Sequence, residues 1–166
     1  MSMKIKVNEL AEIHEYGSTN FFVGKIISHV GDYIYYKNVS VSGSYSGFAM
    51  ISLKGVSNIY YSTSYLQFYK AILIDDQDYY YFDNPYDLIL YCYNNNEIIE
   101  ISKFTWDDYA YTLKIIEIND DYFIGQKVSD SGKLSTKIKI KFKDIYYVIF
   151  GTSLLKNYKK YLESQK

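Results

Sequence analysis

The amino-acid sequence contains an internal repeat. Residues 25–70 align with residues 114–159 without a gap, and 17 of the 46 aligned positions are identical. Unrelated segments of this composition would share about four identities, so the match indicates a duplication. The repeat constrains the fold strongly because each copy must form one folding unit. We therefore expect two small units in this chain of 166 residues.

Each copy has the pattern of short antiparallel strands. Turn residues at positions 30–32 and 119–121 separate apolar runs and predict a hairpin in each copy. Residues 137–143 alternate lysine with apolar residues, which is typical of a half-buried strand. The predicted strands are residues 8–13, 22–27, 33–37, 48–54 and 56–61, and in the second copy residues 96–101, 111–116, 122–126, 137–143 and 145–150.

Three short helices accompany the predicted strands. Thr63 and Thr152 are good N-caps, because a hydroxyl accepts from the free amides of a first helical turn, and apolar residues follow each at helical spacing. Asn84-Pro85 predicts a further helix start that leads into the second copy. This helix would continue to Tyr93, and the first copy has no equivalent.

Five short strands with tight turns, present twice, predict a mainly β protein of two tandem five-stranded small barrels with short flanking helices. The barrels would be of Sm-like or SH3-like type. The predicted domains are a first barrel over residues 1–73, an acidic, tyrosine-rich linker over residues 74–84, and a second barrel with a leading helix over residues 85–166.

A helix followed by five strands resembles the Sm-like fold, and the second copy is similar to a group of small Sm-like proteins of low-GC Gram-positive bacteria. The residues that carry this resemblance are 87–91, 97–101, 120–124 and 143–145, together with the helical tail. The resemblance implies RNA binding through an Asp-x-x-x-Asn element and an Arg-Gly element. The nearest equivalents of the second element here are Lys54-Gly55 and Lys143-Asp144, so this sequence departs from that pocket.

The charged residues are unusual in kind and in distribution. The net charge is −1, and all 18 basic residues are lysines. Planar, bidentate recognition of phosphate or guanine by a guanidinium group is therefore excluded. Residues 74–121 contain twelve acidic residues and two lysines, whereas residues 133–166 contain nine lysines and two acidic residues. The two segments either attract each other or offer different faces to partners.

Five lysines of the second copy form the candidate nucleic-acid-binding set. They are Lys133, Lys137, Lys139, Lys141 and Lys143. Alternate positions of a strand share one face and lie about 7 Å apart, so these lysines could follow a phosphate backbone. The alternative is a solvated strand face whose charge prevents edge-to-edge aggregation.

The candidate protein-contact residues are aromatic. They are Tyr79, Tyr80, Tyr81 and Trp106. Tyrosine, one of the commonest residues here with 22 copies, suits both half-buried strands and interfaces, because its ring is apolar and its hydroxyl is polar. Packing within the protein is the alternative. The acidic residues 75–78 that precede the tyrosines are interpreted as a solvated loop.

The sequence contains no pattern that indicates catalysis. His14 and His29 lack the further ligands or catalytic partners that a metal centre or an active site requires, and neither histidine recurs in the second copy. We expect no enzyme activity, no metal and no cofactor. Cys92, the only cysteine, is interpreted as a buried thiol and is weakly typical of a reducing cytoplasm. The N-terminus lacks the apolar region of a signal peptide, and no apolar run is long enough to span a membrane.

These observations favour a cytoplasmic, non-enzymatic binding module that acts through protein contacts. Weakly specific RNA binding by the lysines of the second copy is the first alternative, and an immunity or antitoxin protein that neutralises a basic partner is the second. The exposed edges of the barrels would permit an oligomer. We expect no membrane partner.

Overall fold

The computed structural model describes residues 3–76, 78–104 and 109–166. The described residues contain ten β-strands, three α-helices and two short 3-10 turns. They form two compact units, Met1–Tyr81 and Phe82–Lys166. The mainly β prediction is therefore confirmed. The boundary between the units falls inside the segment that the sequence assigns to a linker.

The first unit consists of five strands and a C-terminal helix. Its elements are β1 Leu10–Glu15, β2 Phe21–Val30, β3 Tyr33–Val39, β4 Tyr45–Ser52, the 3-10 turn Leu53–Gly55, β5 Val56–Tyr60 and α1 Ser64–Ile72. The second unit has the same arrangement and an additional N-terminal helix. Its elements are α2 Pro85–Asn94, β6 Ile98–Lys103, β7 Tyr111–Ile118, β8 Tyr122–Val128, β9 Leu134–Lys141, the 3-10 turn Phe142–Asp144, β10 Ile145–Phe150 and α3 Ser153–Ser164.

Within each unit, five antiparallel strands are joined in one continuous order. The strand order is β5-β1-β2-β3-β4 in the first unit and β10-β6-β7-β8-β9 in the second. Among the described residues, no ladder joins β4 to β5 or β9 to β10. The prediction of closed, five-stranded barrels is therefore not confirmed, because the two outer strands of each order do not pair within their own unit.

The strand register is duplicated along with the sequence. Lys25 lies opposite Lys37, and Lys37 lies opposite Phe48. In the second unit, Lys114 lies opposite Gln126, which in turn lies opposite Lys137. The ladder irregularities recur as well, since β2 shifts register after Ile26 and β7 shifts after the equivalent Ile115. Equivalent residues of the two copies therefore occupy equivalent sheet positions.

The inner face of each sheet forms its core. The completely buried side chains of the first unit include Ala11, Ile13, Ile26, Ile34 and Ile51. Those of the second unit include Ile99, Ile101, Leu113, Phe123 and Ile140. They recur at every second strand position, because successive side chains of a strand point to opposite faces.

The predicted helix starts are confirmed. The Thr63 and Thr152 hydroxyls accept from the amides of Leu66 and Leu155, respectively. The Asn84 side chain caps α2 in the same way, and Pro85 stands in its first turn. Each cap satisfies an amide that the helix itself leaves without an acceptor.

The predicted lysine strand ends earlier than its alternating pattern suggests. β9 ends at Lys141, and residues 142–144 form a 3-10 turn instead of continuing the strand to Lys143. The ring of Phe142 packs against those of Phe123 and Tyr86, at centroid distances of 5.9 and 5.0 Å. The Phe142 amide also donates to the backbone oxygen of Asp121. These contacts turn the chain toward β10, which an alternating pattern cannot indicate.

Candidate binding face of the second unit

Three lysines project from one face of β9. Lys137, Lys139 and Lys141 are exposed, whereas Ile138 between them is half-buried and Ile140 is completely buried. The alternation places the ammonium groups on the side of the sheet opposite the core, at intervals of about 7 Å along the strand.

The neighbouring strands extend this surface. Lys141 lies opposite Tyr122, and the Lys139 ammonium lies 3.7 Å from the centroid of the Tyr122 ring. Lys137 lies opposite Gln126, whose side-chain amide donates to the backbone oxygen of Ser135. We refer to this surface as the lysine face, which comprises Lys114, Tyr122, Gln126, Lys137, Lys139 and Lys141.

The lysine face is positively charged. In residues 3–76, 78–104 and 109–166, no carboxylate forms an ion pair with Lys137, Lys139 or Lys141. Glu117 lies in line with Lys139, with Ile124 of the central strand between them, and accepts from the Asn119 side chain. Lys137, Lys139 and Lys141 therefore add three charges without an ion-pair partner among the described residues.

The other two predicted lysines lie outside the lysine face. Lys133 is exposed in the turn before β9, where its amide donates to the Ser129 hydroxyl. Lys143 is exposed in the 3-10 turn that follows the strand. The structure thus brings Lys137, Lys139 and Lys141 together on one strand face and places Lys133 and Lys143 beyond its two ends.

The β4 positions equivalent to the three lysines of β9 are buried in the first unit. Phe48, Met50 and Ser52 stand where the second unit has Lys137, Lys139 and Lys141. Their exposed fractions are only 7%, 1% and 1%. The two copies have the same backbone register, but these three positions are buried in the first unit and exposed in the second.

An acidic segment crosses part of that surface in the first unit. We call it the acidic strap, consisting of Asp75, Asp76, Asp78, Tyr79 and Tyr80. The Lys25 ammonium donates to the Tyr79 hydroxyl at 2.9 Å and to an Asp75 carboxylate oxygen at 3.3 Å. The Tyr80 ring meets the Phe48 ring edge-to-face, with 5.1 Å between centroids. The hydrogen bond that Lys25 donates to Tyr79 raises the pKa of Lys25, which favours its charged form.

Lys37 is the central contact of the acidic strap. Its side chain is 2% exposed, its ammonium forms an ion pair with Asp76, and it donates to the Asp78 backbone oxygen at 3.0 Å. The rings of Tyr45 and Tyr79 have centroids 4.7 Å from the same ammonium group. Burial lowers the pKa of Lys37, and the carboxylates of Asp75 and Asp78 act in the opposite direction. Ring faces, a carboxylate and carbonyl oxygens together replace the water that this ammonium loses.

The sequence does not predict the contacts of this strap. Asp75, Asp76 and Asp78 are exposed, in agreement with a solvated loop, but Asp75 and Asp76 also pair with lysines that lie about 40–50 positions earlier in the chain. The complementary charges of Lys25, Lys37 and the aspartates were the available signal. Charge alone does not show which lysines lie side by side, because that depends on strand register.

The predicted aromatic contact residues fall into three groups. Tyr79 is half-buried in the strap, and Tyr80 packs on Phe48. Tyr81 is 73% exposed and remains accessible. Trp106 lies outside the described residues.

The histidines make local contacts. His14 lies 3.2 Å from a Glu12 carboxylate oxygen and stacks on the Phe21 ring, and His29 contacts the backbone oxygen of Gly31. The described part of the chain contains no group of three or more histidine, cysteine or acidic side chains that could hold a metal ion.

Cys92 is buried in α2, and this burial raises the pKa of its thiol well above the usual value.

No helix in the described ranges combines the length and the apolar character that crossing a lipid bilayer requires.

Comparisons of the chain with protein-family models, with curated proteins and with solved structures found no match.

Proposed function

We propose that this protein is a non-enzymatic binding module that recognises an acidic partner protein through the lysine face of its second unit. The observation that carries the proposal is the contrast between the two copies. Three positions of β4 that are buried in the first unit, Phe48, Met50 and Ser52, are exposed lysines on β9 of the second. Exposed charge of one sign, arranged on a rigid sheet, favours association with a surface of opposite charge.

The make-up of the lysine face favours a protein over a nucleic acid. A base-stacking platform needs a free aromatic ring, but the Lys139 ammonium already covers Tyr122. The chain has no arginine for bidentate phosphate contacts, and its net charge of −1 provides no general attraction for a polyanion.

The fold assignment and the location belong to the same proposal. The helix and five antiparallel strands of the second unit support its assignment as a variant of the Sm-like class. The buried Cys92, the only cysteine of the chain, supports a cytoplasmic location.

Charge reversal tests the proposal. We expect the full chain to capture its partner from a lysate, and the variant K137E/K139E/K141E to retain at most about a tenth of that partner, because the reversed charges repel an acidic surface. Quantitative affinity purification with mass spectrometry measures the retained fraction. Chemical cross-linking of the wild-type complex is expected to join Lys137, Lys139 or Lys141 to acidic segments of the partner.

A matched control distinguishes the loss of the binding site from a general effect of the changed net charge. The variant K4E/K156E/K160E changes the same number of exposed lysines outside the lysine face and is expected to capture the partner normally. Equal capture by all three proteins, or equal loss in both variants, would contradict the proposed site.

RNA is the second candidate partner. Five exposed lysines within residues 133–143 favour it. Fluorescence anisotropy with single-stranded RNA at about 50 mM and about 200 mM salt tests this candidate, because phosphate contacts release counterions and weaken with salt. Tight, salt-sensitive binding that K137E/K139E/K141E abolishes would replace the protein partner by RNA.

A further inference from the structure

The first unit shows how this sheet face holds an acidic peptide. The acidic strap follows α1 and places its carboxylates and a tyrosine on lysines of β2 and β3. Its contacts are of three kinds: ion pairs to aspartates, a hydrogen bond to a tyrosine hydroxyl, and a donation to a backbone carbonyl. The strap therefore serves as a bound ligand whose chemistry can be compared with the equivalent surface of the second unit.

The second unit retains one of the two lysines that hold the strap and has polar side chains at two further contact positions. Lys114 is the equivalent of Lys25 and lies at the same sheet position. Gln126 replaces Lys37, and one of its two amide hydrogens remains available beyond the bond to Ser135. Lys137 replaces Phe48 and adds a positive charge. Lys114, Gln126 and Lys137 lie opposite one another on three neighbouring strands, and we refer to them as the row.

A groove leads to this row from the end of α3. It is lined by Ile98, Lys114, Lys159, Leu162, Glu163 and Lys166. Lys159 is held by Glu97 and by the backbone oxygen of Asn95, at 2.8 and 2.9 Å. The described residues of the second unit place no segment across Lys114, Gln126 and Lys137 in the manner of the strap.

We infer that the second unit binds, across Lys114, Gln126 and Lys137, an extended acidic peptide segment of a partner protein that carries a tyrosine. This inference rests on the proposed function and specifies the partner's chemistry. One carboxylate and the tyrosine hydroxyl would accept from Lys114, as Asp75 and Tyr79 accept from Lys25. Gln126 would donate to a backbone carbonyl, and Lys137 would pair with a second carboxylate.

The lining of the groove favours a peptide over RNA. Ile98 and Leu162 offer apolar contacts to side chains, and the Glu163 carboxylate repels a chain that carries one negative charge at every residue. A peptide can place its acidic residues beside the lysines and an apolar or aromatic side chain elsewhere. The acidic strap itself combines these two kinds of contact.

The chain provides its own probe for the test. A fluorescein-labelled synthetic peptide of residues 73–82 carries the strap sequence, including three aspartates and three tyrosines. We expect it to bind the full chain, with a dissociation constant at least about tenfold higher for the variant K114Q/K137Q. Peptides with the three aspartates replaced by asparagine, or with Tyr79→Ala, are expected to bind correspondingly more weakly.

Two controls keep the test decisive. The variant K4Q/K156Q removes two exposed lysines outside the row and is expected to bind the peptide like the wild type. Backbone amide NMR spectra of the 19.5 kDa protein locate the bound peptide, because shifts at Lys114, Gln126 and Lys137 indicate the second unit, whereas shifts confined to the first unit indicate exchange with the strap. Circular dichroism verifies that each variant is folded.

The outcomes separate this inference from the proposed function. Peptide binding that K114Q/K137Q leaves unchanged, shifts confined to the first unit, or stronger binding of single-stranded RNA at the same residues would overturn the inference. If the peptide fails to bind while K137E/K139E/K141E still loses the captured partner, the inference is wrong and the proposed function stands. If that variant keeps its partner, the proposed function fails.

Discussion

Thr63 links a helix cap to a buried carboxylate. Its hydroxyl donates to Glu12 at 2.5 Å and accepts from the Leu66 amide at 3.1 Å. The equivalent Thr152 caps α3 through Leu155, but the described structure shows no bond from it to Glu100, the counterpart of Glu12. Burial raises the pKa of Glu100, as expected for a carboxylate without a donor. Equivalent threonines therefore carry different numbers of hydrogen bonds.

This difference predicts unequal effects of one substitution. We expect Thr63→Val to lower the free energy of unfolding by about 2–3 kcal/mol, because it removes the cap and a hydrogen bond to a buried carboxylate. Thr152→Val is expected to lower it by about 1 kcal/mol, since only the cap is lost. Urea denaturation measures both values. Thr63→Ser, which keeps the hydroxyl, is the control, and equal losses for the two valine variants would contradict this account.

At the scale of the strands, the two copies fill the same space in opposite ways. In the first unit, Gly24 of β2 leaves room for the ring of Tyr36 on β3, and any Cβ at Gly24 would meet that ring. In the second unit, the equivalent of Gly24 is Leu113 and the equivalent of Tyr36 is Gly125, where a Cβ would meet the leucine side chain. The large and the small residue have exchanged strands, so the volume between the strands is preserved.

This exchange predicts strong coupling between two positions. Gly24→Leu is expected to destabilise the protein by about 1–3 kcal/mol through overpacking, and Tyr36→Gly by about 3–5 kcal/mol through a cavity. The double variant, which reproduces the pairing of the second unit, is expected to be at least about 1 kcal/mol more stable than the sum of the single losses implies. A double-mutant cycle in urea measures this coupling, and strictly additive losses would show that the two positions do not share one space.

At the scale of the whole molecule, the two copies share the strand register but differ in the burial of equivalent positions on one strand. Met50 and Lys139 occupy equivalent positions of β4 and β9, but Met50 is 1% exposed and Lys139 is exposed. The same strand position therefore belongs to the protein interior in one copy and to its surface in the other.

The asymmetry predicts opposite tolerance to the reciprocal substitutions. Met50→Lys is expected to lower the free energy of unfolding by more than about 3 kcal/mol, because it buries a charge without a partner. Lys139→Met is expected to lower it by less than about 1 kcal/mol, because it removes only an exposed cation–π contact with Tyr122. Thermal and urea denaturation compare the two variants. Similar losses would mean that the two faces are equally buried.

Much of the local structure was predictable from the sequence. Turn residues indicated the hairpins, hydroxyls indicated the helix starts at Thr63 and Thr152, and the repeat indicated two units with equivalent strands. These features depend on residues close together in the chain, or on self-comparison of the sequence. The alternation of Lys137, Lys139 and Lys141 similarly placed them on one strand face.

Features that depend on contacts between distant residues needed the tertiary structure. The sequence by itself determined the duplication, the mainly β character, the helix caps and the charge of the lysine face. Periodicity and short-range hydrogen bonding depend only on residues that lie close together in the chain. Only the tertiary structure decided that β9 ends at Lys141, that the sheet orders stay open within each unit, and that Lys37 is buried under the acidic strap. The physical reason is that burial and ion pairing depend on which strands become neighbours, and neighbouring strands bring together residues that lie far apart in sequence.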